Sequence, residues 1–85
     1  MRINADDIFA NAGNIEIRLD DLIQKEGITR TKLARLLNVD YRRIRLLCGG
    51  ESTRIDFDLL VRICYTLDCA VGDVLEYIPP EPEPG

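Results

Sequence analysis

Apolar residues at helical spacing divide this chain into short amphipathic segments. In the first, Leu19, Leu22 and Ile23 recur at positions i, i+3 and i+4, and Gly27 follows as a residue that tolerates a left-handed backbone. This pattern predicts a helix over residues 18–26. The same pattern returns three more times, and each time a residue that can cap a helix precedes it.

The predicted N-caps of the next three helices are Thr29, Asp40 and Asp56, whose side-chain oxygens can accept from free N–H groups of a first turn. Asn38 and the pair Gly49–Gly50 are the predicted stops of the first two of these helices. The three apolar stripes are, in chain order, Leu33, Leu36 and Leu37; Ile44, Leu47 and Cys48; Leu60, Ile63, Cys64 and Leu67.

Both ends of the chain are less regular. A short fifth helix is predicted from Val71 to Glu76, the alternation in "NIEIRL" permits a strand, and "NADDIFANAG" permits a capped helical turn that ends at Gly13. The 85 residues suffice for one small domain. We therefore predict an all-α architecture with an N-terminal extension over residues 1–14, a five-helix domain over residues 15–78 and a flexible acidic, proline-rich tail over residues 79–85.

The second and third predicted helices meet the requirements of a helix-turn-helix. Two helices that cross steeply after a short turn approach closely, so the first needs a small side chain at the contact, which Ala34 supplies. The turn needs a positive φ, which Asn38 tolerates. Apolar residues must fill the angle between the helices, and these are Leu33, Leu37, Val39, Ile44 and Leu47. The combination of residue types at fixed spacing makes the motif specific.

With these residues in place, the segment "TRTKLARLLNVDYRRIRLLCGG" resembles the Cro/CI-type helix-turn-helix regulators of the Xre family, in a small single-domain branch. The likeness covers about residues 17–78, because "STRIDFDLLVRICYTLDCAVGDVLEYI" is similar to the family's fourth and fifth helices. It implies a lambda-repressor-like DNA-binding domain and a sequence-specific transcriptional regulator. Repression by occlusion is the simplest outcome, although activation would need only one surface contact to polymerase. The family commonly has glutamine, glycine and serine at the positions of Arg30, Asn38 and Arg45.

The charge distribution favours the same function. The net charge is −4, yet residues 28–54 contain seven basic and two acidic side chains and so carry +5. Residues 1–27 carry −3 and residues 55–85 carry −6. A positive face on a negative body is typical of a protein that meets phosphate with one surface only.

The third helix must keep one face on the core and offer the other to base edges. At about 100° per residue, with Ile44 pointing inward, Arg42 and Leu46 point almost directly outward. Arg42 suits guanine O6 and N7, and Leu46 suits a thymine methyl group, although it could instead pack on the domain. Tyr41 and Arg45 complete the predicted base contacts. The family presents the Tyr41 end of the helix deepest into the groove, where its hydroxyl can donate to a base edge or a phosphate. Arg45 lies on a flank that suits a phosphate better, but it could reach a base.

The predicted DNA-backbone contacts surround this helix: Thr29, Arg30, Arg43, Ser52, Thr53 and Arg54. The resemblance places Arg30 at a position that clamps the phosphate backbone, where the amides of a helix N-terminus add positive charge. Ser52 and Thr53 can donate to phosphates or merely cap a turn. Asp40 could accept from cytosine N4, but capping its own helix is the favoured interpretation.

No catalytic, cofactor or metal site is indicated. The chain has no histidine and no glycine-rich phosphate loop, and its three cysteines lack CxxC spacing, so they fit buried small hydrophobes in a reducing compartment. It also lacks an apolar run of about 18 residues. We therefore expect that the protein is not an enzyme and that it binds no cofactor, membrane or small-molecule ligand. We also expect it to be cytoplasmic.

The predicted partners are double-stranded DNA and a second copy of the chain. One domain of this size contacts about half of a typical operator, and two-fold dimers are the common solution. Candidate dimer surfaces, unless the N-terminal segment covers them, are Leu59, Val61, Tyr65, Ile15, Tyr77 and Ile78. The alternative function is an antitoxin or adaptor-type protein-interaction module on the same fold, which would not need Arg42, Arg43 and Arg45 on one outward face.

Overall fold

The computed structural model describes residues 4–6, 11–52 and 54–80. Between Asn14 and Ile78 the described chain forms strand β1 (Asn14–Ile17), helices α1 (Leu19–Glu26), α2 (Arg30–Leu37), α3 (Tyr41–Cys48), α4 (Phe57–Leu67) and α5 (Val71–Val74), and strand β2 (Leu75–Ile78). The five predicted helices are confirmed, and α2 and α3 form the predicted helix-turn-helix. No helix in the described part of the chain is long and apolar enough to cross a membrane.

The predicted capping residues begin and end the helices. The side chains of Thr29, Asp40 and Asp56 each accept a hydrogen bond from a backbone N–H two or three residues later, at 3.0, 2.8 and 2.7 Å. Asn38 ends α2 in the left-handed region at φ 55°, and Gly27 ends α1 at φ 72°. Local sequence therefore determines where these helices start and stop.

All five helices contribute to one apolar core, formed by Leu19, Ile23, Leu33, Ala34, Leu37, Ile44, Leu47, Leu59, Leu60, Ile63 and Val74. The prediction that Leu59 lies off the core stripe of α4 is wrong, since its side chain is only 2% exposed. The physical reason is that α4 packs against both α2 and α5. These two helices together cover a wider face of α4 than its single apolar stripe, and Leu59 lies within that wider face.

The strand permitted by "NIEIRL" is present, but its partner was not predicted. The fifth helix ends at Val74 rather than Glu76, and residues 75–78 instead pair antiparallel with β1, with Ile17 opposite Leu75 and Asn14 opposite Ile78. The N–H of Arg18 donates to the carbonyl of Val74 at 2.6 Å, which fixes the junction between α5 and β2. This two-stranded sheet closes the domain by joining its first and last elements.

Some predictions fall outside the described residues. These are Thr53, residues 7–10 of the permitted N-terminal helical turn and residues 81–85 of the acidic tail. The division of the chain into extension, domain and tail stays a prediction.

Gly13 lies directly before β1 at φ 86°, and a Cβ at this position would come within 2.2 Å of the carbonyl oxygen of Ile78. Gly27 also has positive φ, but a Cβ there would meet nothing within 4 Å. The two glycines therefore separate the cost of backbone conformation from the cost of a clash with the sheet.

We expect Gly27→Ala to lower the free energy of unfolding by about 1 kcal/mol, from the left-handed backbone alone. Gly13→Ala should cost about 1 kcal/mol more than that, because a backbone carbonyl cannot move aside as a flexible side chain can. Urea denaturation followed by circular dichroism measures both losses. Equal losses would contradict the close packing of Gly13 against β2.

Candidate nucleic-acid interface

Helix α3 has one buried and one exposed face, as the sequence predicts. Ile44 and Leu47 are 0% and 1% exposed and lie in the core. Tyr41, Arg42, Arg43 and Arg45 are exposed, with Arg42 opposite the buried pair and Arg43 and Arg45 on the two flanks. Leu46, predicted to point outward, is half-buried, so only part of its side chain is available to a ligand.

The turn before α3 sets its position relative to α2. Ala34, on the contact side of α2, is buried, and its carbonyl accepts from the N–H of Val39 at 3.0 Å. Asn38 supplies the positive φ that reverses the chain. Asp40 then caps α3 through the N–H of Arg42, so the capping interpretation of Asp40 is confirmed. The small residue, the left-handed residue and the cap together aim the N-terminus of α3 outward.

Two of the predicted backbone-contacting arginines are held by carboxylates. The guanidinium of Arg43 pairs with Asp56, the N-cap of α4. The pKa of the Asp56 carboxyl is lowered, first by the hydrogen bond from the N–H of Leu59 and then by Arg43. Asp56 therefore both begins α4 and connects it to α3.

The second pair joins α1 to α2. Nε of Arg30 donates to Oδ1 of Asp20 at 3.1 Å, and the other carboxylate oxygen accepts from Gln24 at 2.9 Å. The hydrogen bond to Asp20 raises the pKa of Arg30. The pair thus connects α1 to the first turn of α2.

Cys48 is also near this pair. Burial, followed by the charge of Asp20, raises the pKa of its thiol to about 11. The thiol is therefore neutral at physiological pH and acts as a packing group. Cys48, Cys64 and Cys69 are all free, and no group of residues suited to a metal ion occurs within the described ranges.

The outermost arginines of α3 are not held in this way. Arg42 and Arg45 form no ion pair with any carboxylate of the described residues, and neither does Arg54 in the loop after α3. In the same loop, the Ser52 hydroxyl donates to the carbonyl of Arg54 at 3.0 Å and accepts from its N–H. Ser52 thus closes a turn, as its alternative interpretation allowed.

The carboxylate partners were not identified from the sequence. Asp56 was predicted as a cap, and only the tertiary structure shows that its carboxylate also meets Arg43. Asp20 had no sequence signal, because it is one of several acidic residues on α1. The structure therefore distinguishes arginines with a carboxylate partner from arginines without one within the positively charged residues 28–54.

Comparison with known proteins identifies the family. Residues 18–80 match the family model of the Cro/C1-type HTH DNA-binding domain. The chain belongs to this family. The resemblance drawn from its helix-turn-helix residues is thereby confirmed, and with it the assignment to DNA-binding transcriptional regulators.

Individual relatives agree with this assignment. The Cro/C1-type chain is 30% identical to the uncharacterized HTH-type transcriptional regulator YozG of Bacillus subtilis (strain 168) over 63 residues. The aligned residues cover 74% of this chain and 75% of YozG. The crystal structure of a Bacteroides fragilis protein superposes with a TM-score of 0.68 at 17% identity, covering 74% of this chain and all of the other. That of transcriptional regulator VanUg gives 0.66 at 22% identity, covering 92% and 99%. These two structures show a shared fold.

The Arg43–Asp56 pair predicts how the stability of this Cro/C1-type domain depends on pH. Since the pKa of Asp56 is lowered in the folded state, its ionised form stabilises the fold above the ordinary aspartate pKa of about 3.9. This stabilisation is lost as the pH falls through the lower, folded-state value. Asp56→Asn keeps an equally good helix cap but removes the charge.

We expect the free energies of unfolding of the wild type and Asp56→Asn to converge below about pH 4. Arg43→Ala should show part of this effect, because the cap bond from Leu59 remains. Urea unfolding of the wild type, both single variants and the double variant at several pH values gives the coupling free energy between Arg43 and Asp56. Wild-type and Asp56→Asn curves that stay parallel to pH 3 would contradict it.

Proposed function

We propose that this Cro/C1-type protein is a sequence-specific repressor that binds double-stranded DNA and reads the major groove with α3. One observation supports this most directly: Arg42 and Arg45 are exposed and without ion pairs in the described chain, while Ile44 and Leu47 hold the other side of the same helix in the core. An unpaired guanidinium can approach a base edge without first breaking a salt bridge.

The base contacts follow from these positions. Arg42 and Arg45 are suited to guanine O6 and N7, which accept two parallel N–H donors. Tyr41, 46% exposed at the N-terminus of α3, can donate its hydroxyl to a base or a phosphate. The exposed part of Leu46 fits a thymine methyl group.

The paired arginines are suited to the phosphate backbone. A guanidinium has five N–H donors. Arg30 uses Nε for Asp20 and Arg43 uses an Nη for Asp56, so each keeps donors for a phosphate. The carboxylates hold these long side chains in place and so reduce the entropy lost on binding. Thr29, Ser52, Thr53 and Arg54 complete the proposed backbone contacts.

We further propose that the protein acts as a cytoplasmic homodimer that represses by occupying its operator. A single α3 spans about half of a typical site, so two copies related by a two-fold axis would read both halves. No ligand-sensing site is part of the proposal, and regulation would follow from the amount of dimer present.

A protein-interaction module of the antitoxin or adaptor type is the second candidate. The observation in its favour is a row of exposed apolar side chains on α4, formed by Phe57, Val61 and Tyr65. An adaptor of this kind would act without Arg42 and Arg45. Their replacement therefore distinguishes the two functions.

The test begins with selection of bound sequences from a random duplex pool, followed by fluorescence anisotropy at two salt concentrations. Arg42→Ala should lose about 1–3 kcal/mol of discrimination at one guanine position. Arg43→Ala should weaken binding to all sequences and reduce the salt slope by about 1.

Lys25→Ala is the matched control, since it removes the same charge beside the acidic residues Asp73 and Glu76, which line the same shallow groove. This substitution should change neither the discrimination between base pairs nor the salt dependence of binding. The proposal fails if no sequence is enriched, or if all three substitutions have the same effect.

A further inference from the structure

The outward face of α4 carries three large apolar side chains in a row. Phe57, Val61 and Tyr65 are 83%, 66% and 87% exposed. Their i, i+4, i+8 spacing places them along one side of the helix. Leu59, Leu60 and Ile63, which lie in the core, occupy the opposite side. The helix is thus apolar on two faces, and the described part of the chain covers only one of them.

We propose that this row is the contact between two copies of the chain, with their α4 helices packed antiparallel about a two-fold axis at Val61. The inference rests on the homodimer of the proposed function and specifies its surface. Phe57 and Tyr65 each lie four residues, or about 6 Å, from Val61 along the helix. The two-fold axis therefore brings Phe57 level with Tyr65 of the second copy at both ends, an aromatic pair that favours edge-to-face or offset packing.

Charges beside the row support a second copy as the occupant. Asp58 and Arg62 are exposed on the same flank of the row, and neither forms an ion pair with the residues described. In the antiparallel arrangement this flank meets the same flank of the second copy. Asp58 then lies within about 3 Å along the axis of Arg62 from the other chain, and the pair occurs twice.

A parallel arrangement lacks this complementarity. It would place Asp58 and Arg62 against the opposite flank of the second helix, where Cys64 lies. The surface is therefore self-complementary in one orientation only, as a two-fold interface requires.

The area available is compatible with a reversible dimer. Phe57 and Tyr65 alone can bury roughly 300–500 Å² on each copy. A typical stable interface buries about 800 Å² per partner. Val61 and the aliphatic part of Arg62 add to the aromatic contribution, but the total stays below that value, as expected for a weak and reversible dimer.

A second exposed apolar pair, on the two strands, is less suited to this role. Ile15 and Tyr77 face each other across β1 and β2 and are 59% and 57% exposed. The hydroxyl of Tyr77 already donates to the carbonyl of Ala12 at 2.7 Å. This patch thus has a polar partner within its own chain and serves as the matched control.

The α4 contact also determines the relative position of the two α3 helices. Arg43 of α3 pairs with Asp56 at the first turn of α4. A dimer built on α4 would therefore hold the two α3 helices in one relative arrangement through the shared core of each domain and this ion pair. Loss of the α4 contact should abolish binding to two half-sites while leaving each half-site contact intact.

Sedimentation equilibrium of the full chain over a wide concentration range tests the interface. The wild type should pass from monomer to dimer mass, and Val61→Asp should raise the dissociation constant at least tenfold with an unchanged circular dichroism spectrum. Ile15→Asp adds the same charge on the strand pair and should leave the dimer unchanged. Should Val61→Asp fail to fold, Tyr65→Glu alters the most exposed member of the row and should give the same loss.

The charge pair provides an independent check of orientation. Asp58→Arg alone should weaken the dimer, and Asp58→Arg combined with Arg62→Asp should restore it. A monomeric wild type at all concentrations, a dimer unaffected by both row variants, or dissociation by Ile15→Asp would overturn the proposal. So would failure of the charge exchange to restore association.

DNA binding separates this inference from the proposed function. If the chain dimerises through α4 but enriches no DNA sequence, the interface stands and the repressor function fails. If the row variants leave the mass unchanged while Arg42→Ala relaxes sequence preference, the DNA reader stands and the α4 interface is wrong.

Discussion

Burial of Ile44 and Leu47 fixes the rotation of α3 about its own axis, and the proposed DNA contacts depend on that rotation. A helix with two fully buried positions three residues apart cannot turn without exposing apolar surface to water. The exposed residues at 41, 42 and 45 are therefore outward because their neighbours are inward. The close approach of α2 at Ala34 and the left-handed Asn38 hold this arrangement from the other side.

Four arginines of the positively charged residues 28–54 fall into two groups that differ in their partners. Arg30 and Arg43 are each held by a carboxylate, and a positioned cation is suited to a phosphate. Arg42 and Arg45 have no such partner among the described residues, so all their N–H donors are available for the proposed base contacts. Two acidic residues of this negatively charged protein therefore have a specific role, because Asp20 and Asp56 each hold an arginine side chain in position.

Helix α4 connects the surface proposed to bind DNA with the proposed second copy. Its cap, Asp56, pairs with α3, its inner face lies in the core and its outer face carries Phe57, Val61 and Tyr65. A single helix can combine these functions because its faces are independent of one another. Dimer formation and half-site spacing would then be set by the same element.

Sequence by itself determined the five helices, their caps at Thr29, Asp40 and Asp56, and the helix-turn-helix, because periodicity, capping and positive φ act within a few residues of each other. It also showed which positions of α3 point inward. The burial of Leu59, the pairing of β1 with β2 and the partners of Arg30 and Arg43 were decided by tertiary structure. Each depends on how separate elements cross: Arg43 and Asp56 are 13 residues apart, and the Arg18–Glu76 contact beside the sheet spans 58. Local sequence patterns do not show which of these distant residues come into contact, because the contacts form only when the helices pack on a common core.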